Sequence, residues 1–557
     1  MFQPKLFESL RGYNRSTFYA DLAAGITVGI VALPLAVGFA IASGVSPERG
    51  IWTAIVAGFL ISALGGSLVQ VGGPTGAFVP ILAGIVLLHG YSGLVLATLM
   101  AGALLVLMGV LKLGNLIKFI PYPVTAGFTS GIAVIIFVGQ LKEFLGLPKD
   151  LKLPAHTPHQ LATLMEHFPD INWVTVGIGV GVLLILIFWP KSWRRIPASI
   201  VAVVVSTLAV VLLKLDVTTI QMKFGELPRG IPSLEFPRVT FDTLQALMVP
   251  AFTIAMLGAI ESLLSAMVAD GMIESRHDSN QELIGQGLAN IACPFFGGFS
   301  ATGAIARTAT NIRNGARTPV AGIIHSVTLL VIVLVAAPLV KFIPLVALSG
   351  VLLIVAFRMG EWDNFVELYH GPKSDFWVMV ATFVMTVVFD LTVAVGVGLT
   401  MAAALFVRRM EEISQIKLVT PESDLDVGSS SIRNKYVPPG VLVYRIEGPF
   451  FFGAAEKLEA ALNRAGEVPR LVIFRMRNVP AIDATGLHAL EIMLEKFHRK
   501  HTQLILSGVQ PQPMKVLYNA GFVDKIGLDN ICANIDVALA RAQELLTPVS
   551  TASTPAA

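Results

Sequence analysis

Charge is scarce in this chain. Only 14% of its 557 residues are Asp, Glu, Lys or Arg, against about a quarter in soluble domains, which excludes a single soluble domain. Neither sign dominates: 40 basic residues stand against 37 acidic ones, a formal charge of +3, so the basic surplus of a nucleic-acid binder is missing and no nucleic-acid partner is expected. Cys293 and Cys532 are the only cysteines, too few for a disulfide framework or a Cys-ligated zinc site. No G-x-x-x-x-G-K-[ST] phosphate loop, G-x-S-x-G elbow or H-E-x-x-H zinc helix occurs, which argues against a one-chain ATP-driven pump and a hydrolase. His156, His159 and His167 read as solvated residues of a Pro-rich loop. The chain is expected to be no enzyme and to hold no metal or cofactor, with a proton or sodium gradient supplying any driving force.

What fills the chain is apolar. Hydrophobic residues make up 54%, with 50 Gly and 32 Pro, and mean hydropathy is +0.73; Gly and Pro at this level fit many membrane helices rather than one anchor. Fourteen apolar segments, several of them short or broken, can be read between about 22 and 407, and the first, opening near Leu22, reads as a retained helix rather than a signal peptide. Five regions follow: an N-terminus (1–20), a membrane domain (21–409), a linker (410–436), a soluble domain (437–546) and a disordered tail (547–557). In the soluble domain, 441–446, 471–476 and 504–506 read as strands and 454–464 and 485–499 as helices, an α/β arrangement. With the N-terminus inside, Lys and Arg concentrate in inside segments while short outside loops keep only Arg49 and Lys341, so both termini are expected in the cytoplasm.

An internal repeat organises the membrane domain. GPTGAF at 73–78 and SATGAI at 300–305 share a Thr-Gly-Ala core after Gly-rich breaks, and each Thr lies 41 residues beyond a notable residue, Pro34 or Glu261. Backbone that leaves the helix inside a membrane must be buried in protein or line an aqueous cavity. If each core starts a half-helix, two N-termini with their free N–H groups and partial positive charge face one another, which makes an anion site. Thr75 and Thr302 would add hydroxyl donors, and Gly76 and Gly303 would let a ligand approach the backbone.

Arg307 lies in an apolar stretch five residues beyond Thr302. A guanidinium at depth costs about 3 kcal/mol on insertion scales and so needs a partner. A bound anion and Glu261 are the two candidates. Glu261, flanked by small and apolar residues, could load and unload a proton during transport, or could serve as a satisfied core carboxyl. Pro34 is expected to bend the first span, and Phe39 either walls the cavity or only packs. Close helix packing suffices to explain the GxxxG at Gly25 and Gly29.

These residues resemble the sulfate permease (SulP) family of anion transporters over nearly the whole chain. The resemblance rests on DLAAGITVGIVALPLA at 21–36, GPTGA at 73–77, GQGLAN at 285–290 and TGAIARTATN at 302–311. It implies fourteen spans in a 7+7 inverted repeat, divided into core and gate domains, a homodimer in a bacterial inner membrane, and elevator-like motion. It also implies that Phe39, Thr75, Gly76, Ala77, Thr302, Gly303, Ala304, Ala306 and Arg307 surround the anion, with Ala306 where animal relatives have Ser. Glu261 falls on a carboxylate position that is similar to that of proton-coupled C4-dicarboxylate carriers, whereas sodium-coupled bicarbonate carriers tend to have Asp there. The C-terminal part resembles a STAS domain, where IDATGL at 482–487 is similar to the Asp-Ser-Ser-Gly-Leu loop. Asp483 and Thr485 are then regulatory candidates, Ala484 replaces one hydroxyl, and a cytosolic protein partner is implied. The leading expectation is proton-coupled uptake of a C4-dicarboxylate; sulfate or bicarbonate transport, a passive anion channel and a membrane-embedded sensor are the alternatives.

Overall fold

The computed structural model describes every residue except 1–2, 116–120, 152, 155, 191–196, 226–239, 390, 414, 422–423, 425–430, 452–468 and 548–557. It divides into two units, 1–402 and 403–557.

The first unit is helical. A short α1 (Lys5–Ser9) precedes α2 (Arg15–Ala42) and α3 (Pro47–Leu64); an extended crossing containing β1 (Gly72–Gly73) then leads to α4 (Val79–Val110). Next come α5 (Tyr122–Phe144), α6 (Thr157–Glu166), α7 (Trp173–Phe188), α8 (Ala198–Leu212) and the short α9 (Ile220–Phe224). The pattern then restarts with α10 (Phe241–Ile273) and α11 (Ser279–Ala292), a second crossing with β2 (Thr302–Gly303), α12 (Ile305–Arg313) and α13 (Val320–Val340). The unit continues through α14 (Leu345–Met359), α15 (Trp362–His370) and α16 (Lys373–Val388) into α17 (Leu391–Ile413).

Among the described residues, five stretches are long and apolar enough to cross a bilayer: Arg15–Ala42, Gly76–Val110, Tyr122–Phe144, Phe241–Ile273 and Leu345–His370. Trp173–Phe188, Ala198–Leu212 and Val320–Val335 are shorter apolar helices. Leu184, Leu208 and Leu334 point outward and are exposed, as suits a surface solvated by lipid.

In lipid, helices associate through close contact rather than hydrophobic exclusion. The GxxxG face of α2 provides such a contact: a Cβ at Gly25 would sit 2.5 Å from the Ala321 carbonyl oxygen, and one at Gly29 would sit 2.8 Å from Thr328, so α13 lies directly on it. Two helix groups result. One packs α2, α3 and α13 together with α4, α10, α11 and α12; the other packs α5 with α14 and α16, and α7 with α8 and α14.

Three details differ from the sequence expectations. The first span starts at Arg15 rather than near Leu22, because the Asn14 side chain accepts from the Thr17 N–H at 2.9 Å and caps it. A break that the sequence reading did not include lies at Gly90, whose backbone is non-helical inside α4, while α2 runs on past Pro34 as one helix. The stretch holding His156, His159 and His167 is not a plain loop but carries α6, with His156 as its N-cap residue and Leu164 buried beside Val138 and Leu147.

The second unit holds a five-stranded sheet in the order β3 (Gln415–Val419), β4 (Val441–Glu447), β5 (Leu471–Asn478), β6 (Gln503–Ser507) and β7 (Ile531–Cys532). β3 is antiparallel to β4 and the other pairs are parallel. Residues 471–476 of β5 are all buried, the continuous apolar run of a central parallel strand. β4, β5, β6 and the helix Ala484–Arg499 fall where sequence patterning places them. The helix expected over 454–464 and the tail residues 548–557 lie outside the described residues. β3 falls in the stretch read as a linker, and so does the buried Asp424, whose carboxylate meets Arg445 and, at 3.4 Å, Arg475. That stretch is therefore partly built into the fold of this unit.

Asp483 caps the helix Ala484–Arg499 by accepting from the Gly486 N–H at 2.7 Å. An N-cap of this kind contributes about 1 kcal/mol. Asp483→Ala should therefore raise local hydrogen exchange over 484–490 about fivefold, as read by exchange mass spectrometry on the full chain.

Candidate functional site

The two crossings meet. β1 pairs antiparallel with β2, Gly72 opposite Gly303 and Gly73 opposite Thr302, and the Ala304 N–H donates to the Val71 carbonyl at 3.0 Å. On one side the turn Gly76–Phe78 leads into α4 from Thr75, which is extended (φ −126°, ψ 158°); on the other, α12 starts from Ala304 (φ −106°, ψ 107°). No side chain caps either start, and the first N–H groups of a helix have no intrahelical acceptor.

A cavity of about 560 Å³ opens beside this junction. Phe39, Thr75, Gly76 and Ala77 line it from the first half of the chain, and Glu261, Ala304, Ala306 and Arg307 from the second. The volume is within the usual range for small-ligand sites. Thr302 and Gly303 are placed differently from the expectation and are not among the lining residues. The Thr302 hydroxyl donates to the Gly258 carbonyl of α10 at 3.0 Å, so it fixes the crossing instead of offering a donor to a ligand. A Cβ at Gly303 would collide with the Gln70 amide, so packing, not ligand approach, requires glycine there.

Arg307 and Glu261 share the cavity without an ion pair: among the described residues no contact within 4 Å joins them. Arg307, 3% exposed, reaches back across the junction and donates to the Pro74 carbonyl and, at 3.4 Å, to that of Gly72. Its fixed partners are thus backbone carbonyls that the first break took out of helical pairing. Glu261 accepts from the Thr75 hydroxyl at 2.9 Å. Both Arg307 and Glu261 are therefore tied to the first break.

Several positioning residues were not singled out in the sequence. Glu282, fully buried on α11, accepts from the N–H groups of Gly66 (2.8 Å) and Ser67 (3.2 Å) and from the amides of Gln70 (3.0 Å) and Gln286 (2.8 Å). Asn290 clamps Ala301 with bonds of 2.8 and 2.9 Å, and the Thr308 hydroxyl accepts from the Val71 N–H at 3.1 Å. Asp21 of α2, also buried, accepts from the Arg317 N–H (2.8 Å), the Thr318 hydroxyl (2.5 Å) and the Tyr13 hydroxyl (3.1 Å). Burial first and this carboxylate second push the Tyr13 hydroxyl up to about 12. A lone carboxyl in a weakly polar segment was the available signal for Asp21, whereas Glu282 follows the polar run at 274–281 and has no such mark. In the second unit, Asp483 and Thr485 are exposed at the start of their helix.

Comparisons with known proteins identify the family. The model of the sulfate permease family matches residues 18–382, and that of the STAS domain matches 433–538. The putative sulfate transporter YvdB of Bacillus subtilis is 42% identical over 519 residues, 93% of this chain and 96% of that protein. The bicarbonate transporter BicA of Picosynechococcus is 31% identical over 553 residues, 96% of this chain and 95% of that protein. Among solved structures, the transmembrane domain of a cyanobacterial BicA aligns with a TM-score of 0.63 at 32% identity, covering 69% of this chain and 99% of that chain. The murine Solute Carrier 26 family member A9 anion transporter aligns with a TM-score of 0.85 over 97% of this chain and 94% of that chain; at 17% identity this is a likeness of fold alone. With the family model spanning most of the chain and a 42% identical relative along nearly all of it, this chain belongs to the sulfate permease family, as a multi-pass membrane anion transporter with a C-terminal STAS domain and not an enzyme.

Proposed function

We propose that this chain is a secondary active carrier taking up a C4-dicarboxylate with a proton, the anion resting on the paired breaks and Glu261 carrying the proton. One observation supports this reading above the others: the Glu261 carboxyl is bonded to Thr75, the residue that opens the first break, inside the cavity that Arg307 also lines. Like unit charges about 6 Å apart repel by about 3 kcal/mol at an effective dielectric near 20, so protonating such a carboxyl favours an anion beside it. No resident cofactor is needed; the proton is the coupling ion.

The junction of β1 with β2, reinforced by Arg307 and Glu282, would carry both breaks as one body. Phe128 and Ile132 of α5 and Val351 of α14 line the cavity from the other helix group, so sliding one group past the other would expose the anion alternately to each side, an elevator-type motion. We place both termini and the STAS domain in the cytoplasm, the transporter as a homodimer in a bacterial inner membrane, and a protein partner on the STAS domain. A second reading, sulfate or bicarbonate as cargo, is favoured by the names of the relatives.

Counterflow of labelled succinate, sulfate and bicarbonate into proteoliposomes tests the choice, with and without pH and sodium gradients. Succinate accumulation driven by the pH gradient is expected. Sodium-driven bicarbonate or sulfate accumulation without succinate counterflow contradicts the leading reading. Glu261→Gln should keep exchange at equal pH but lose accumulation driven by the pH gradient; full accumulation in this variant removes Glu261 from coupling.

A further inference from the structure

The cavity that holds Arg307 carries a second arginine. Arg358, in the last turn of α14, lines it as well, and α14 belongs to the helix group opposite α12. One cavity therefore has a guanidinium on each wall. They differ in setting: Arg307 is buried and bonded to the carbonyls of the first break, whereas Arg358 is exposed and has no hydrogen bond or ion pair among the described residues. Glu361, three residues further on, lines the same cavity, but its carboxylate accepts from the Asn364 amide at 2.6 Å and forms no ion pair with Arg358 among the described residues.

We infer that Arg358 forms an entrance subsite, where a small carboxylate or oxyanion lodges before it passes to the paired breaks. A guanidinium presents a planar fork of donors that suits such an anion, and an arginine without a fixed partner is available to it. Glu361 sets the opposing field and keeps the subsite weak. That weakness matters, because a conducting path needs sites that bind enough to fill and loosely enough to release. The inference rests on the transport reading above and assigns a residue to the capture step, which the paired breaks do not explain.

Initial uptake rates in proteoliposomes test it, using whichever of succinate, sulfate and bicarbonate the unmodified protein exchanges. Arg358→Gln should raise KM about three- to tenfold with Vmax changed less than about twofold, and Arg358→Lys should restore part of the loss. Glu361→Gln should lower KM. Raising ionic strength should shrink both effects, since the Debye length falls to about 8 Å at 0.15 M. An unchanged KM in Arg358→Gln beside normal uptake by the unmodified protein overturns the inference alone. A KM that rises in Glu361→Gln as it does in Arg358→Gln also overturns it, because both residues then act as a structural pair. Absence of counterflow in the unmodified protein overturns the transport reading together with this one.

Discussion

Arg307→Gln should lower Vmax/KM for the transported anion at least about a hundredfold, because two functions fail together. The guanidinium donates to the Pro74 and Gly72 carbonyls across the junction, and it lines the cavity with a positive charge. Hydrogen bonds from a charged group contribute about 1.5–3 kcal/mol each, and losing one such bond from the transport-competent state already accounts for tenfold or more. A glutamine side chain is shorter, neutral and unable to reach both carbonyls while facing the anion. Arg307→Lys separates the contributions: it restores charge without the planar fork, so an intermediate rate is expected. Uptake at saturating and limiting anion, measured on equal amounts of reconstituted protein, reads both variants. Full activity in Arg307→Gln would mean that the cavity charge is irrelevant to the cargo.

Glu282→Ala should destabilise the membrane unit by about 3–5 kcal/mol, because each buried donor left without an acceptor costs about 1–3 kcal/mol. Four donors lose their acceptor: the N–H groups of Gly66 and Ser67 and the amides of Gln70 and Gln286. The first crossing hangs on this carboxylate, so its amides should exchange faster before the helices around it do. Glu282→Gln keeps the volume but turns one acceptor into a donor facing donors, and a smaller loss is expected. Thermal unfolding in detergent gives the size of the effect and exchange over 65–71 gives its place. Unchanged exchange there in Glu282→Ala would refute the assignment.

The paired breaks were legible because Thr-Gly-Ala recurs at 75–77 and 302–304 after glycine-rich strings, a signal carried by residue identity. How the breaks join was not legible. β1 and β2 have two residues each, too short to show any alternation, and their register follows from backbone bonds that side-chain identity does not encode. The same reason hid the partner of Arg307: the candidates were an anion and Glu261, whereas its fixed acceptors are carbonyls. Glu282 escaped notice because its donors lie 212 to 216 residues away on the first crossing, apart from Gln286 one turn along its own helix. Thr302 and Gly303 looked equivalent to Thr75 and Gly76 by repeat symmetry, but the Gly258 carbonyl takes the Thr302 hydroxyl and the Gln70 amide lies against Gly303. β3 passed for linker since it is mostly exposed, with Val419 its one buried residue, so no apolar period marks it.

The central claim, an anion seated where the two breaks meet, is open to a direct measurement because the chain holds only Cys293 and Cys532, both buried. Ala306 lines the cavity and is exposed to it, so Ala306→Cys places one accessible thiol at the site, and Thr485→Cys on the STAS domain serves as control. At ten times its KM, the transported anion should slow labelling of Ala306→Cys by a neutral water-soluble thiol reagent about tenfold, following occupancy, and leave Thr485→Cys untouched. A labelling rate at Ala306→Cys that stays the same while that anion is being transported would contradict the account.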